Sequence, residues 1–253
     1  MTYVTGARGF IGSHLVRRLD PSKTISIPHH CITEFRMEHF ERFYFLSSYG
    51  NLSGQTDWKQ TMTANVLQPI SALLECLAKD TTGTLVFVSS SSVTLPVQTA
   101  YSRCKLAAEE VLLSASDKLR ICIARPYSVT GVGEQSSHLI PTLIRSCYTG
   151  EPMPFYPDAT HDYIDVEDVV DGLLALSNPG VYELGRGWPV TNEEVKNLVE
   201  RTTGCKANVT IQKQGRTYDN GHWFCTGPKP EGWTPKVSLE QSIRNMVEAY
   251  ASQ

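Results

Sequence analysis

The chain has no apolar run approaching the roughly 20 residues that a membrane-spanning helix needs, and it reads as a protein that works in water. It also lacks a basic excess. A net charge of −3 over 253 residues gives none of the positive footprint that nucleic acid demands. Its seven cysteines are an odd number and include no Cys-x-x-Cys pair, which argues against both a disulfide framework and a thiolate metal centre. Cys76, Cys104 and Cys122 fall inside apolar-periodic segments and read as reduced core residues. The first residues pass straight into a strand pattern, leaving no room for a signal peptide. Internal repeats and low-complexity linkers are missing as well. These absences point to a cytoplasmic protein with no membrane, nucleic-acid or metal partner.

What is there starts at the first residues. The composition, 41% hydrophobic and 19% charged, suffices for one α/β domain or a nucleotide domain with a small appendage. Tyr3, Val4 and Thr5 end a short buried strand, and Gly6, Gly9 and Gly12 follow at intervals of three. Ile11, Leu15, Val16 and Leu19 then take up a helical period. Strand, glycine turn and helix in this order form the dinucleotide-binding arrangement. Gly6 allows the tight turn, Gly9 lets backbone N–H groups approach a pyrophosphate, and Gly12 lets the helix lie close to the strand. Arg8, Phe10 and Ile11 complete the loop and first helical turn, whose free N–H groups and partial positive charge suit phosphate.

Strands and helices then alternate. Thr24 to Ile27 is a second strand, followed by Pro28-His29-His30-Cys31 rather than by the acid that usually holds the adenosine ribose of NAD. Too few residues separate it from the next strand, Phe43 to Leu46, for a full helix and another strand. The sheet is therefore expected to be about one strand short on this side. Trp58 to Ala78 is a long helix carrying Asn65, with Pro69 as a kink. Leu85 to Val88 is an all-apolar strand ending in Ser89-Ser90-Ser91-Ser92. Tyr101 to Leu113 is an amphipathic helix, and Leu119 to Ala124 is a strand leading into Arg125-Pro126.

This pattern predicts a Rossmann-type α/β fold, a doubly wound parallel sheet with ligands at the strands' carboxyl ends. The expected division is a dinucleotide-binding domain over 1–130 and a mainly substrate-binding region over 131–253, with segments that return to the main sheet. In that second region His138 to Tyr148 and Val166 to Leu176 read as helices, and Tyr163 to Asp165 as a strand. Thr191 to Glu194 is a capping box, and Ser238 opens the last helix.

Tyr101 and Lys105 are four residues apart and share one helix face. A free tyrosine titrates near ~10, so bringing it to about 7 takes about 4 kcal/mol, which a nearby ammonium and an oxidised nicotinamide could supply. Lys105 can also donate to the nicotinamide ribose. Ser90, at the end of its strand, could bond the substrate oxygen that Tyr101 protonates or deprotonates.

These residues resemble the extended short-chain dehydrogenases/reductases, also called the NAD-dependent epimerase/dehydratase family. The matching motifs are Thr5-Gly-Ala-Arg-Gly-Phe-Ile-Gly12, Asn65-Val66, Phe87-Val-Ser-Ser-Ser-Ser-Val93, Tyr101-x-x-x-Lys105 and Arg125-Pro126 with Val129-x-Gly131-x-Gly133. Asp162-Tyr-Ile-Asp-Val-Glu-Asp168, Tyr182-Glu-Leu-Gly185 and Gly232-Trp233-x-Pro235 continue the series. The resemblance implies that Tyr101 is the catalytic base, Lys105 lowers its pKa and holds the ribose, and Ser90 orients the substrate. It makes Asn65 the prop for a proton-relay water. It further implies a sugar carried by a nucleoside diphosphate as substrate, and a homodimer through a four-helix interface built from Trp58–Ala78 and Tyr101–Leu113.

The departures carry information too. Ser91-Ser92 stand where the dehydratases have an Asp-Glu pair, which makes elimination an unexpected chemistry and places Ser91 beside Ser90 as a substrate contact. The loop from Ser90 to Tyr101 is short for the family. His161 stands where the family has an arginine for the substrate diphosphate, and Arg216, Arg145 and Arg186 are candidates to take its place. Arg8 and the missing acid after Ile27 both favour a 2′-phosphate, hence NADP(H) over NAD(H). Two functions are carried forward: a reductase or epimerase of a nucleotide-linked sugar, and a catalytically silent NADP(H)-binding regulator or scaffold.

Overall fold

The computed structural model describes residues 1–52, 54–79, 82–213 and 223–252, and these form two compact units. The first comprises Met1–Pro126, Gly172–Glu183 and Gly227–Trp233; the second comprises Tyr127–Asp171, Leu184–Thr226 and Thr234–Gln253. The chain begins with β1 (Thr2–Thr5), α1 (Phe10–Arg18), β2 (Thr24–Ile27), β3 (Arg42–Phe45) and α2 (Trp58–Met62). A π-helical turn (Thr63–Leu67) leads into α3 (Gln68–Leu77), then β4 (Thr84–Val88), α4 (Ala100–Leu113) and β5 (Arg120–Pro126). β6 (Ser128–Thr130), α5 (Leu139–Thr149), β7 (Met153–Phe155), β8 (Thr160–His161), β9 (Tyr163–Asp165) and α6 (Val166–Ala175) follow. The last elements are β10 (Gly180–Leu184), β11 (Val190–Thr191), α7 (Asn192–Thr203), β12 (Val209–Ile211) and α8 (Leu239–Ala251).

The main sheet has the order β10-β5-β4-β3-β1-β2, and every neighbouring pair from β5 to β2 is parallel. Its strands read as apolar runs because both faces are covered. Tyr3, Phe43, Phe45, Leu85, Phe87, Ile121 and Ile123 share one core with Ala72, Leu73 and Cys76 of α3 and Ala108 and Leu112 of α4. Val4, Tyr44, Val86, Cys122 and Ala124 alternate with them onto the other face and are buried as well. Each fully buried phenylalanine here contributes on the order of 1.5–3 kcal/mol. The sheet ends at β2, where Ile25 and Ser26 are exposed. A single 3-10 turn, His29–Cys31, is the only regular element on the way from β2 to β3, and no full helix or further strand fits there. That accounts for the missing strand.

The long helix expected over Trp58–Ala78 is not uniform. Gln68 N–H donates to the Thr63 carbonyl, five residues back, so the backbone widens by one residue. Pro69 explains the site of the widening. It has no N–H to continue an α-helix, and its ring would meet the carbonyl four residues earlier.

In the second unit α5, α7 and α8 close over a separate core of Ile140, Leu143, Ile144, Val195, Val199, Ile243 and Val247, with Phe155 and Tyr163. Short strand pairs β6–β9 and β7–β12 are parallel, and β8–β11 is antiparallel. Thr191 caps α7 through a complete capping box with Glu194, and Ser238 accepts from Gln241 N–H to open α8. Asp162 is fully buried and accepts from the N–H groups of Arg186, Gly187 and Cys225 at 2.8–2.9 Å, so it ties two other backbone segments to its own.

Candidate active site

The glycine turn is built as tightly as its sequence demands. Gly6 has φ +68, and a Cβ there would stand 2.9 Å from the backbone of Leu46 and Ser47. Those two N–H groups donate to the Thr5 hydroxyl at 3.0 and 3.1 Å, which stitches the carboxyl ends of β1 and β3 together. A Cβ on Gly12 would lie 2.1 Å from the Gly6 carbonyl oxygen, so only glycine lets α1 sit on the turn. Gly9 is exposed and caps α1 without any side-chain cap, leaving the first-turn N–H groups of Phe10 and Ile11 to face outward. Arg8 is exposed at the rim of this turn.

The strand order reverses direction at β1 and β3, which is where a doubly wound sheet opens its ligand crevice. Buried hydroxyls of Ser47, Ser89 and Ser91, at the carboxyl ends of β3 and β4, have no hydrogen-bond partner. Orphaned polar atoms in such a place are what a polar ligand would complete. The turn, the uncapped helix terminus and these hydroxyls fit a dinucleotide.

Tyr101 and Lys105 fall one turn apart because Thr99 caps α4 by accepting from Ser102 N–H. The ends of β3 and β4 bring Ser48 and Ser90 to the Tyr101 phenol, where both hydroxyls favour its ionised form. Burial outweighs them and pushes the phenol above its ordinary value. Ser48 and Ser90 are the groups seen to act on the phenol here, alongside burial. The Lys105 ammonium is 1% exposed, donates to the Val88 carbonyl at 2.9 Å and lies 4.6 Å from the Phe87 ring centroid. It stands 6.0 Å from the Tyr101 ring centroid. Burial depresses it to about 7, with Glu109, one turn further along α4, pulling the other way. Glu109 is itself held by the Arg125 guanidinium through Nε at 3.1 Å and through Nη2.

Asn65 is fully buried in the π-helical turn. Its amide N–H groups donate to the carbonyls of Tyr49 at 2.6 Å and Thr61 at 2.9 Å, and its Oδ1 accepts from Ser48 Oγ at 3.1 Å. These contacts commit the Asn65 side chain to Tyr49, Thr61 and Ser48. Sequence reasoning passed over Ser48. The available signal was its place just past an apolar run, where the other candidate groups also stand. Ser90 Oγ accepts from Ser92 N–H and pairs with Ser92 Oγ at 2.9 Å, while Ser91 is buried behind it.

His161 belongs to the second unit, on β8, with its ring against Tyr163 and Trp223. Arg186 of the same unit donates to the Val237 carbonyl and lines a cavity of about 480 Å³ with Tyr163, Trp188, Val190 and Leu239. Arg145 pairs with Glu151 on the surface. Arg216 lies outside the described residues. All seven cysteines are free, and Cys76, Cys104 and Cys122 are buried. No helix among the described residues is long and apolar enough to cross a membrane.

Residues 56–185, just over half of the chain, match the model of the NAD dependent epimerase/dehydratase family. The chain belongs to that family. The family's GDP-6-deoxy-D-mannose reductase from Pseudomonas aeruginosa is 24% identical, over 99% of this chain and 97% of that protein. The structure titled "MoeE5 in complex with UDP-glucuronic acid and NAD" superposes with a TM-score of 0.85 at 23% identity, covering 99% of both chains. The structure titled "Structure of RMD from Pseudomonas aeruginosa complexed with NADPH" superposes with a TM-score of 0.81 at 21% identity, over 99% of this chain and 98% of that one. Nicotinamide cofactors of both kinds therefore occur on this family fold.

Proposed function

We propose that this family member moves hydride at a secondary alcohol or ketone of a nucleotide-linked sugar, by keto-reduction or epimerisation. The observation that carries the reading is the Tyr101 phenol, set between the Ser48 and Ser90 hydroxyls in the same unit as the glycine turn. Tyr101 exchanges a proton with the substrate oxygen, and Ser90 holds that oxygen in place. Lys105, anchored on Val88, donates its remaining N–H groups toward the ribose that the turn brings in. The bound nicotinamide supplies or accepts the hydride. A phenol raised by burial is protonated at neutral pH, which suits proton donation to a ketone.

NADP(H) is preferred over NAD(H) because Arg8 is exposed at the turn and Pro28-His29-His30 bring no carboxylate to the end of β2. His161, in its aromatic setting, is the candidate partner of the substrate diphosphate. Exposed Trp58, Leu67 and Leu74 on the α2–α3 helix and Val111 on α4 offer the apolar faces of a homodimer.

Stereospecific transfer of label between NADPH and a 4-keto sugar nucleotide, abolished by Tyr101→Phe, tests the reading. Exchange in neither direction across a panel of such sugars would leave a catalytically silent cofactor-binding protein. Oxidised cofactor retained through purification would favour an epimerase over a reductase.

A further inference from the structure

Two amide side chains, one on the π-helical turn and one at the start of α3, reach to opposite sides of the glycine turn. Asn65 is held by Ser48 and Tyr49, just past the end of β3. Gln68, the first residue of α3, donates from Nε2 to the His29 carbonyl at 2.9 Å, just past the end of β2. In the sheet order β3-β1-β2 the strand between them is β1, whose carboxyl end carries the glycine turn. In a doubly wound sheet the end of the second strand is where the adenosine half of a dinucleotide lies. Gln68 therefore stands at the adenosine end of the crevice.

A carbonyl only accepts, so the contact with His29 decides which way the Gln68 amide is turned. Its nitrogen faces His29 and its oxygen faces away. That Oε1 is buried without a hydrogen-bond partner, on a residue only 4% exposed. A buried acceptor is costly to leave unpaired, and this one, fixed in direction, calls for an N–H or O–H donor.

We propose that Gln68 reads the adenine of the cofactor, its Oε1 accepting from the exocyclic 6-amino group, the N–H donor that the base keeps once it is joined to ribose. The assignment rests on the cofactor reading above and deepens it, adding a contact to the base where Arg8 serves the 2′-phosphate. A 2′-phosphate is itself an acceptor and is no partner for Oε1. The ribose belongs at the tip of β2, where His29 and His30 are exposed. A flat, largely apolar base belongs on the buried side of that tip, where Ile32 shares the core of Ala72 and Leu73 of α3. The sheet ends at β2, so among the described residues no strand beyond it offers the amino group another partner.

The test compares NADPH with its hypoxanthine analogue, in which a carbonyl oxygen replaces the 6-amino group, by fluorescence titration of the full chain without substrate. NADH and its own hypoxanthine analogue are run alongside. An oxygen at that position meets Oε1 acceptor to acceptor, so the wild type is expected to bind the analogue about tenfold or more weaker. Gln68→Met, similar in size and without the acceptor, is expected to bind the two bases within about twofold of each other. Equal binding of both bases by the wild type overturns the proposal. A preference that persists undiminished in Gln68→Met also overturns it, since another group must then hold the amine. Should Gln68→Met fail to fold, Gln68→Asn, whose amide falls one methylene short, is expected to narrow the preference, and an unchanged ratio refutes it. The ratio of affinities needs no turnover: a chain that exchanges no label still reports it, and an active one can lack it, so the two readings fail separately. Binding of none of the four dinucleotides would remove the cofactor reading and this proposal together.

Discussion

Replacing Lys105 by methionine should make the protein more stable at neutral pH and less stable in alkali. Lys105 is 1% exposed, and burial lowers its pKa from 10.5 to about 7. The unfolded chain therefore binds the proton more tightly between those values, and stability conferred on the wild type rises with pH across that window. At pH 7 the buried amine costs about 4 kcal/mol, from a shift of about 3.5 units at roughly 1.4 kcal/mol each less the share already deprotonated. Near pH ~9.5 the cost has fallen to about 1 kcal/mol by the same relation. Methionine removes this cost, but it strands the Val88 carbonyl and gives up the contact with Phe87, together about 2 kcal/mol. The variant is thus expected to gain about 2 kcal/mol near pH 7 and to lose about 1 near pH ~9.5. Urea unfolding of both proteins at the two pH values measures the difference, in which all other titrating groups cancel. A stability gap that moves by less than about 1 kcal/mol between them would refute the reasoning. On the proposed function the same substitution is also expected to abolish hydride transfer.

Gly12→Ala, which forces a Cβ to within 2.1 Å of the Gly6 carbonyl oxygen, should push α1 off the turn, destabilise by about 1–3 kcal/mol and abolish NADPH binding in a fluorescence titration. Arg125→Met leaves the Glu109 carboxylate buried and unpaired, and should cost about 3 kcal/mol in urea unfolding at neutral pH, with part of the loss recovered on adding Glu109→Gln. Thr191→Ala removes the hydroxyl that accepts from Glu194 N–H, while the backbone half of the α7 capping box stays, and should cost about 1 kcal/mol by thermal unfolding. Asp162→Ala strips the acceptor from three main-chain N–H groups, and is expected to raise amide exchange at Arg186, Gly187 and Cys225 while leaving β1 to β5 protected.

The main sheet was legible because its strands and helices announce themselves by period. The run Leu85 to Val88, the turn Gly6 to Gly12 and the α4 pattern all stand where the sequence puts them. Even the shortened edge followed from counting residues between two strands. The site was legible in its parts but not in its electrostatics. Spacing puts Tyr101 and Lys105 on one face, yet cannot say that the amine turns to Val88 or that burial outweighs the hydroxyls at the phenol. Ser48 was hidden for a related reason. Its contact with Asn65 depends on which way that amide points, and that is settled by the carbonyls of Tyr49 and Thr61, contributed by a loop and by the preceding helical turn. The π-helical turn was likewise out of reach, since Pro69 marks an interruption without specifying its form.

The one-residue widening at Thr63–Leu67 makes the helix a geared part. Each residue of an α-helix advances the face by about 100°, so the extra residue sets the angular phase between Trp58–Met62 and Gln68–Leu77. Removing any single residue from 63–67 would let the segment wind as ordinary α-helix, and the two halves would lose their relative heading. Either Leu73 and Cys76 would keep their seat on the sheet while the Asn65 amide swung away from Ser48, or the amide would stay and the seat would be lost. Length at this point in the chain is therefore as constrained as residue identity.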